Sequence, residues 1–354
     1  MQMINPSGIE RPMQITDLHA AARDGRLGTI DANLLTPERL TARNAAGNTA
    51  LHAAARHGQL GSIPAALLTS EYLSIKNDLG YTVLHHAALG GHLNDVPPHL
   101  LTHEALSMRS NSGYTVYHVA AAHGHLAQLP PGLLTEEVVL RQTDLGNTLL
   151  HEAAEQGALD RFPAAFLTAA NFARGNIGGE TVLHVAALNG YLNQIAQEFL
   201  TPAALLAVTN SGDTVFHAAA ISGHLDQIPP RLLVHDHLVV ASKSGFTAIH
   251  AAAETGQLNR IPPEQLTRDL LLTRNDNGDT PLHAAAFEGH LDQIPSGLLT
   301  AELLNVRNYD RITVGRLAVE RGFVEQLPPM LQPKASGPLR RLAMKLGVSR
   351  PPFA

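Results

Sequence analysis

The chain has 354 residues and is 44% hydrophobic but only 4% aromatic, with no Trp and no Cys. Without Cys it has no disulfides, thiolate nucleophiles or Cys-ligated metal centres, which fits a reducing, cytoplasmic setting. The formal charge of −6 leaves −11 on residues 1–331, because residues 332–354 carry only cations; an acidic body excludes general nucleic-acid binding, which needs a basic face.

Residues 1–13 read as a lead-in with no basic stretch followed by an apolar run, so no signal peptide is expected. No stretch approaches 18 uninterrupted apolar residues, which speaks against a membrane-spanning helix. From Thr16 onward the chain repeats itself. His19, His52, His85, His118, His151, His184, His217, His250 and His283 are each 33 residues apart, and the register then reaches Arg316. A threonine stands three residues before every one of these positions, from Thr16 to Thr313.

Each repeat is predicted to open with a turn. Two residues before the threonine lies a glycine, from Gly47 to Gly278, which permits the positive φ of a tight turn. Five before it lies a short polar residue such as Asn44, Asn77 or Ser110, able to bond its own backbone two residues on. A short helix follows, as in "TALHAAARHG": Thr49 is the N-cap, the alanines are strong helix formers, and Gly58 ends it.

With that period and "TPLHAA" at residues 280–285, the sequence resembles the ankyrin repeat family over residues 14–331. The resemblance implies an all-α repeat solenoid of about ten 33-residue units with β-turn fingers. It also implies a signature histidine at the start of each first helix, bonded to the threonine and nearby backbone. The second half of each repeat departs from the family, because Pro64, Pro97, Pro130, Pro163, Pro229, Pro262, Pro295 and Pro328 fall where an unbroken helix would run. Proline inside a helix costs about 3 kcal/mol, so two short helical pieces are expected there. The sixth repeat has Ala196 instead and serves as the internal control.

A histidine recurring in every layer answers a structural need rather than a catalytic one. His92, His125, His224 and His290, each after a glycine, are read as structural too. The H-x-H pairs His123/His125 and His235/His237 fall short of the three or four converging ligands of a metal site, and no cofactor is expected. No hydrolase, zinc-protease or phosphate-loop motif occurs, so the chain is read as a non-enzyme.

Scaffold positions recur and surface positions vary. The variable slots are the turn tip before the threonine and two positions late in the first helix, which the resemblance places on the concave, partner-holding face. From them Tyr81, Leu89, Tyr114 and His123, with His86 beside them, form a candidate amphipathic strip. Glu152, Glu155 and Glu180 form an acidic one, and Phe246 and Phe287 add aromatic anchors. The expected function is non-catalytic protein–protein binding by a monomer, with a partner segment basic at one end and apolar at the other. The sequence leaves open a secreted effector or enzyme-associated protein whose site carries no motif. In the tail 332–354, Leu339, Leu342, Ala343 and Leu346 share one helical face, which predicts a cap on the last repeat, with membrane-surface docking as the alternative.

Overall fold

The computed structural model describes residues 15–332. The lead-in and the tail beyond Gln332 lie outside the described residues. Two compact units divide the chain, Met1–Phe172 with the first five repeats and Ala173–Ala354 with the other five, and each is described by itself.

Every repeat begins with the expected finger. In the third repeat Asn77 Oδ1 accepts from the N–H groups of Leu79 and Tyr81 at 3.1 and 2.9 Å, closing the turn. Gly80 adopts φ +78°, and a Cβ there would stand 2.4 Å from Asn111 Oδ1, so the glycine also admits the next finger. Neighbouring fingers are joined by single bonds, Asn111 N–H to Leu79 O (3.0 Å) in the first unit and Asn210 N–H to Gly178 O (2.8 Å) in the second. Isolated bridges such as Lys76 with Thr82 are the nearest approach to a sheet; among the described residues no strand forms.

The helix after each finger starts where its threonine caps it. Val83–Gly90 is representative: the Thr82 hydroxyl accepts from His85 N–H, and His85 Nδ1 accepts from Thr82 N–H at 3.0 Å. This is a reciprocal capping box with histidine in place of the usual Glu or Gln. Pro281 heads its helix in the first turn, where no intrahelical N–H bond is lost. The residue before each signature histidine (Leu51, Leu84, Tyr117, Leu150, Leu183, Phe216, Ile249, Leu282) is almost wholly buried. Burying such side chains contributes about 1.5–3 kcal/mol each. In both units these helices stack on one another in chain order, with alanines between them.

The signature histidine does more than expected. Its Nδ1 is taken by the threonine N–H, so the proton sits on Nε2, which reaches out of its own repeat. His85 Nε2 donates to Tyr114 O at 3.1 Å and His217 Nε2 to Phe246 O at 3.2 Å, each the tip of the next finger. His118 bonds Arg141 O instead, at 2.9 Å. Burial holds His52, His85 and His118 down to about 4, so they are neutral. The glycine-following histidines are structural as well, with His125 Nδ1 donating to Ala88 O of the preceding repeat at 2.8 Å.

The second part of the repeat corrects the sequence reading in two respects. Three short pieces follow most signature helices rather than two, as in Leu60–Ser62, Ala65–Leu67 and Ser70–Leu73. And proline does not cause the break. In the sixth repeat, Ala196 replaces proline, yet Ile195 is still extended at φ −97°, ψ 129°. Phe199 N–H then bonds Ala196 O at 2.9 Å, as Leu67 N–H bonds Pro64 O at 2.8 Å. The buried isoleucine before the break and the threonine cap after it fix the chain path; Ile195 is 4% exposed. Proline suits a path already set, because it favours extended backbone before it.

Candidate functional site

The fingers and signature helices present the variable slots on one face of each unit. In the first unit this face holds Tyr81, His86, Tyr114, Glu152 and Glu155 as one interacting group. Tyr81 and Tyr114 are half-buried finger tips whose carbonyls are held by His52 (3.2 Å) and His85 (3.1 Å). The Tyr81 ring stands edge-on to His86, centroids 6.5 Å apart, and His86 packs edge-on to His52 at 5.0 Å.

His86 and Glu152 occupy the slot directly after the signature histidine. The other helices carry Ala or Val there: Ala53, Val119, Val185, Ala218, Ala251 and Ala284. His86 Nε2 lies 3.3 Å from the Asn77 amide, which leaves its buried Nδ1 without a partner. Burial, with His52 beside it, pushes His86 down to about 3.

Glu152 was expected in a solvated strip, but it is only 3% exposed. Its Oε1 accepts from Asn147 Nδ2 at 3.0 Å, and the Tyr114 hydroxyl interacts with the same carboxylate. Burial, aided by repulsion from Glu155, pushes Glu152 up to about 7. The Tyr114 hydroxyl is raised by burial and by Glu152 in turn. Desolvation outweighs both hydrogen bonds because no cation offsets it. The face therefore combines two phenols, an orphan N–H donor and a carboxylate poised between its charge states.

The remaining first-unit candidates are dispersed. Leu89 is half-buried, Glu155 and His123 are exposed, and the His123 ring stacks on His125 at 6.3 Å. Among the described residues no three His, Asp or Glu side chains are placed to hold a metal ion. Nor is any helix long and apolar enough to cross a membrane.

Models of the ankyrin repeat family match residues 18–96, 183–262 and 277–308. The chain belongs to the ankyrin repeat family. Ankyrin repeats are in general protein–protein interaction modules. No curated protein matches this ankyrin repeat chain.

The second unit of the ankyrin repeat chain carries the other candidates. Glu180 is half-exposed in its finger, accepting from Asn176 Nδ2 at 2.9 Å. Phe246 and Phe287 line one groove with about 330 Å³ of room, formed by the eighth, ninth and tenth repeats. Ala284, Ile312 and Leu317 complete its apolar surface, and Glu254, Asp279 and Glu288 its acidic rim. Sequence reasoning placed these last residues in variable slots, or passed over them, without seeing that they converge. The readable signal was the slot after the histidine, where a charged or polar residue replaces Ala or Val only at His86 and Glu152.

Proposed function

We propose that this ankyrin repeat protein is a non-catalytic scaffold that holds a protein partner against the fingers and signature helices of its first unit. Tyr81 and Tyr114 are the anchors, since truncating buried aromatic contacts typically costs about 2 kcal/mol or more of binding. The carboxylates of Glu152 and Glu155 favour a partner segment with a basic end, and Nδ1 of His86 offers a donor to that segment's backbone.

The observation that carries this reading is the pair His86 and Glu152. A buried, uncompensated carboxylate and an orphan N–H both destabilise the free protein. They stand in a slot that the same fold fills elsewhere with Ala or Val. A ligand supplying a cation and an acceptor removes both penalties.

The test is affinity capture from a lysate with mass spectrometry, comparing wild type with Tyr81→Ala plus Tyr114→Ala, both checked for cooperative thermal unfolding. The variant loses the main partner, and Glu155→Lys slows its association while reducing the salt dependence. Unaltered affinity in a folded double variant overturns the assignment of this face.

A further inference from the structure

The groove in the second unit has a one-sided charge. Its lining carries Glu254, Asp279 and Glu288 and no Lys or Arg. The ion pairs of this unit, Arg268 with Glu302 and Arg316 with Glu320, leave those three carboxylates without a cation. The two histidines in the wall supply none. His250 Nε2 donates to Asp279 O at 3.0 Å and His283 Nε2 to Ile312 O at 3.2 Å, and burial lowers both, which keeps them neutral. Asp279 accepts from Asn308 Nδ2 at 2.8 Å, which orients its carboxylate without neutralising it. Between the acids the surface is apolar, and Phe287 is 43% exposed, an unusual position for a phenylalanine. Arg321, just outside, stacks on Phe287 with its guanidinium carbon 3.2 Å from the ring centroid. A guanidinium therefore already satisfies one edge of this groove through a cation–π contact.

The occupant needs apolar side chains flanked by cations, and the chain itself carries such a segment. Residues 333–354 include "PLRRLAMKLG", with Arg340, Arg341 and Lys345 among leucines, and no acid. We propose that the groove of the last three repeats is the docking site of the chain's own basic tail, the leucines on the Phe246–Phe287 surface and the cations at Glu254, Asp279 and Glu288. Connectivity favours this occupant over an outside partner. The tail leaves the tenth repeat, which also supplies Ile312 and Leu317 to the groove wall. The six residues from Pro333 to Pro338, at about 3.3 Å each, reach roughly 20 Å, about twice the spacing of stacked helices. A tethered segment of that reach has an effective concentration on the order of millimolar, above that of a free competitor. The site is independent of the partner face assigned to the first unit.

The experiment uses the full chain and a fluorescent synthetic peptide of residues 333–354, followed by anisotropy. Wild type is compared with a chain whose own tail is neutralised by Arg340→Gln, Arg341→Gln and Lys345→Gln. The peptide binds the neutralised chain at least tenfold more tightly than wild type, whose groove is filled in cis. Adding Phe287→Ala and Glu288→Gln to the neutralised chain weakens the peptide at least tenfold, with the thermal transition unchanged because both residues are exposed. Raising salt from about 50 to about 500 mM weakens it as well, as screening of exposed charges requires. Equal affinity for wild type and the neutralised chain, no binding to either, or indifference to the groove substitutions overturns the proposal. So does a wild-type dimer that the tail substitutions dissociate, since the tail would then fill a second copy's groove.

Discussion

Nε2 of His85 donates to the carbonyl of Tyr114 across 29 residues, at 3.1 Å. A scaffold histidine of one repeat thus holds the backbone of a candidate anchor in the next. His85 also accepts from Thr82 N–H, so its loss removes a helix cap and an inter-repeat bond together. His85→Ala is expected to destabilise the protein by about 2–3 kcal/mol, a net bond being worth about 1 kcal/mol and an orphaned buried group more. His123→Ala, at an exposed position, costs less than about 0.5 kcal/mol. Urea melts of the two variants decide this; equal losses would mean the histidine bonds carry no special weight.

The neutral histidines make stability fall in acid. His52, His85 and His118 have folded values of about 4, below the ordinary 6.5. Between those values the unfolded chain takes up protons that the folded chain does not, so stability declines as pH drops through 6.5 and the decline levels off near 4. Within that window each such histidine contributes about 1.4 kcal/mol per pH unit. Denaturation midpoints at pH 7.5, 6 and 5 should therefore fall steadily. A flat profile across this range would contradict the buried, neutral state.

Glu152 acts with the opposite sign. Its folded value of about 7 exceeds the ordinary 4.5, so the unfolded chain ionises first as pH rises. Stability from this group is present in acid and lost between 4.5 and about 7. Glu152→Gln keeps an acceptor for Asn147 and has no charge to bury. It is expected to stabilise the protein by about 1–3 kcal/mol at pH 8 and to have little effect at pH 4.5. Thermal melts at the two pH values give the comparison, and destabilisation at pH 8 would show that the carboxylate is compensated.

Two glycines separate conformational need from mere smallness. Gly80→Ala meets positive φ and Asn111 at 2.4–2.6 Å, so a loss of at least about 1 kcal/mol is expected. At Gly61, in the short piece Leu60–Ser62, an added Cβ meets nothing within 4 Å and φ is not positive. Gly61→Ala is expected to be neutral or to stabilise by up to about 1 kcal/mol, through a less disordered unfolded chain. Denaturant midpoints of the two variants provide the check.

What the sequence determined by itself is whatever is decided within a few residues and then repeated. The finger, its glycine, the threonine cap and the signature helix each depend on bonds spanning five residues or fewer, such as Tyr81 N–H to Asn77 Oδ1. Their 33-residue recurrence separated scaffold from surface and pointed to the ankyrin family. Tertiary structure decided the rest. The break after Ile195 persists without proline because a buried isoleucine and its neighbours set the path, and no local propensity encodes those neighbours. Glu152 looks like any surface acid in the sequence; its burial comes from Tyr114, contributed by another repeat, and from Asn147. The groove from Phe246 to Leu317 exists only because three repeats stack in register. Burial and cavity shape depend on residues far apart in the chain, and solvation, not local pattern, sets the charge state of what lies within them.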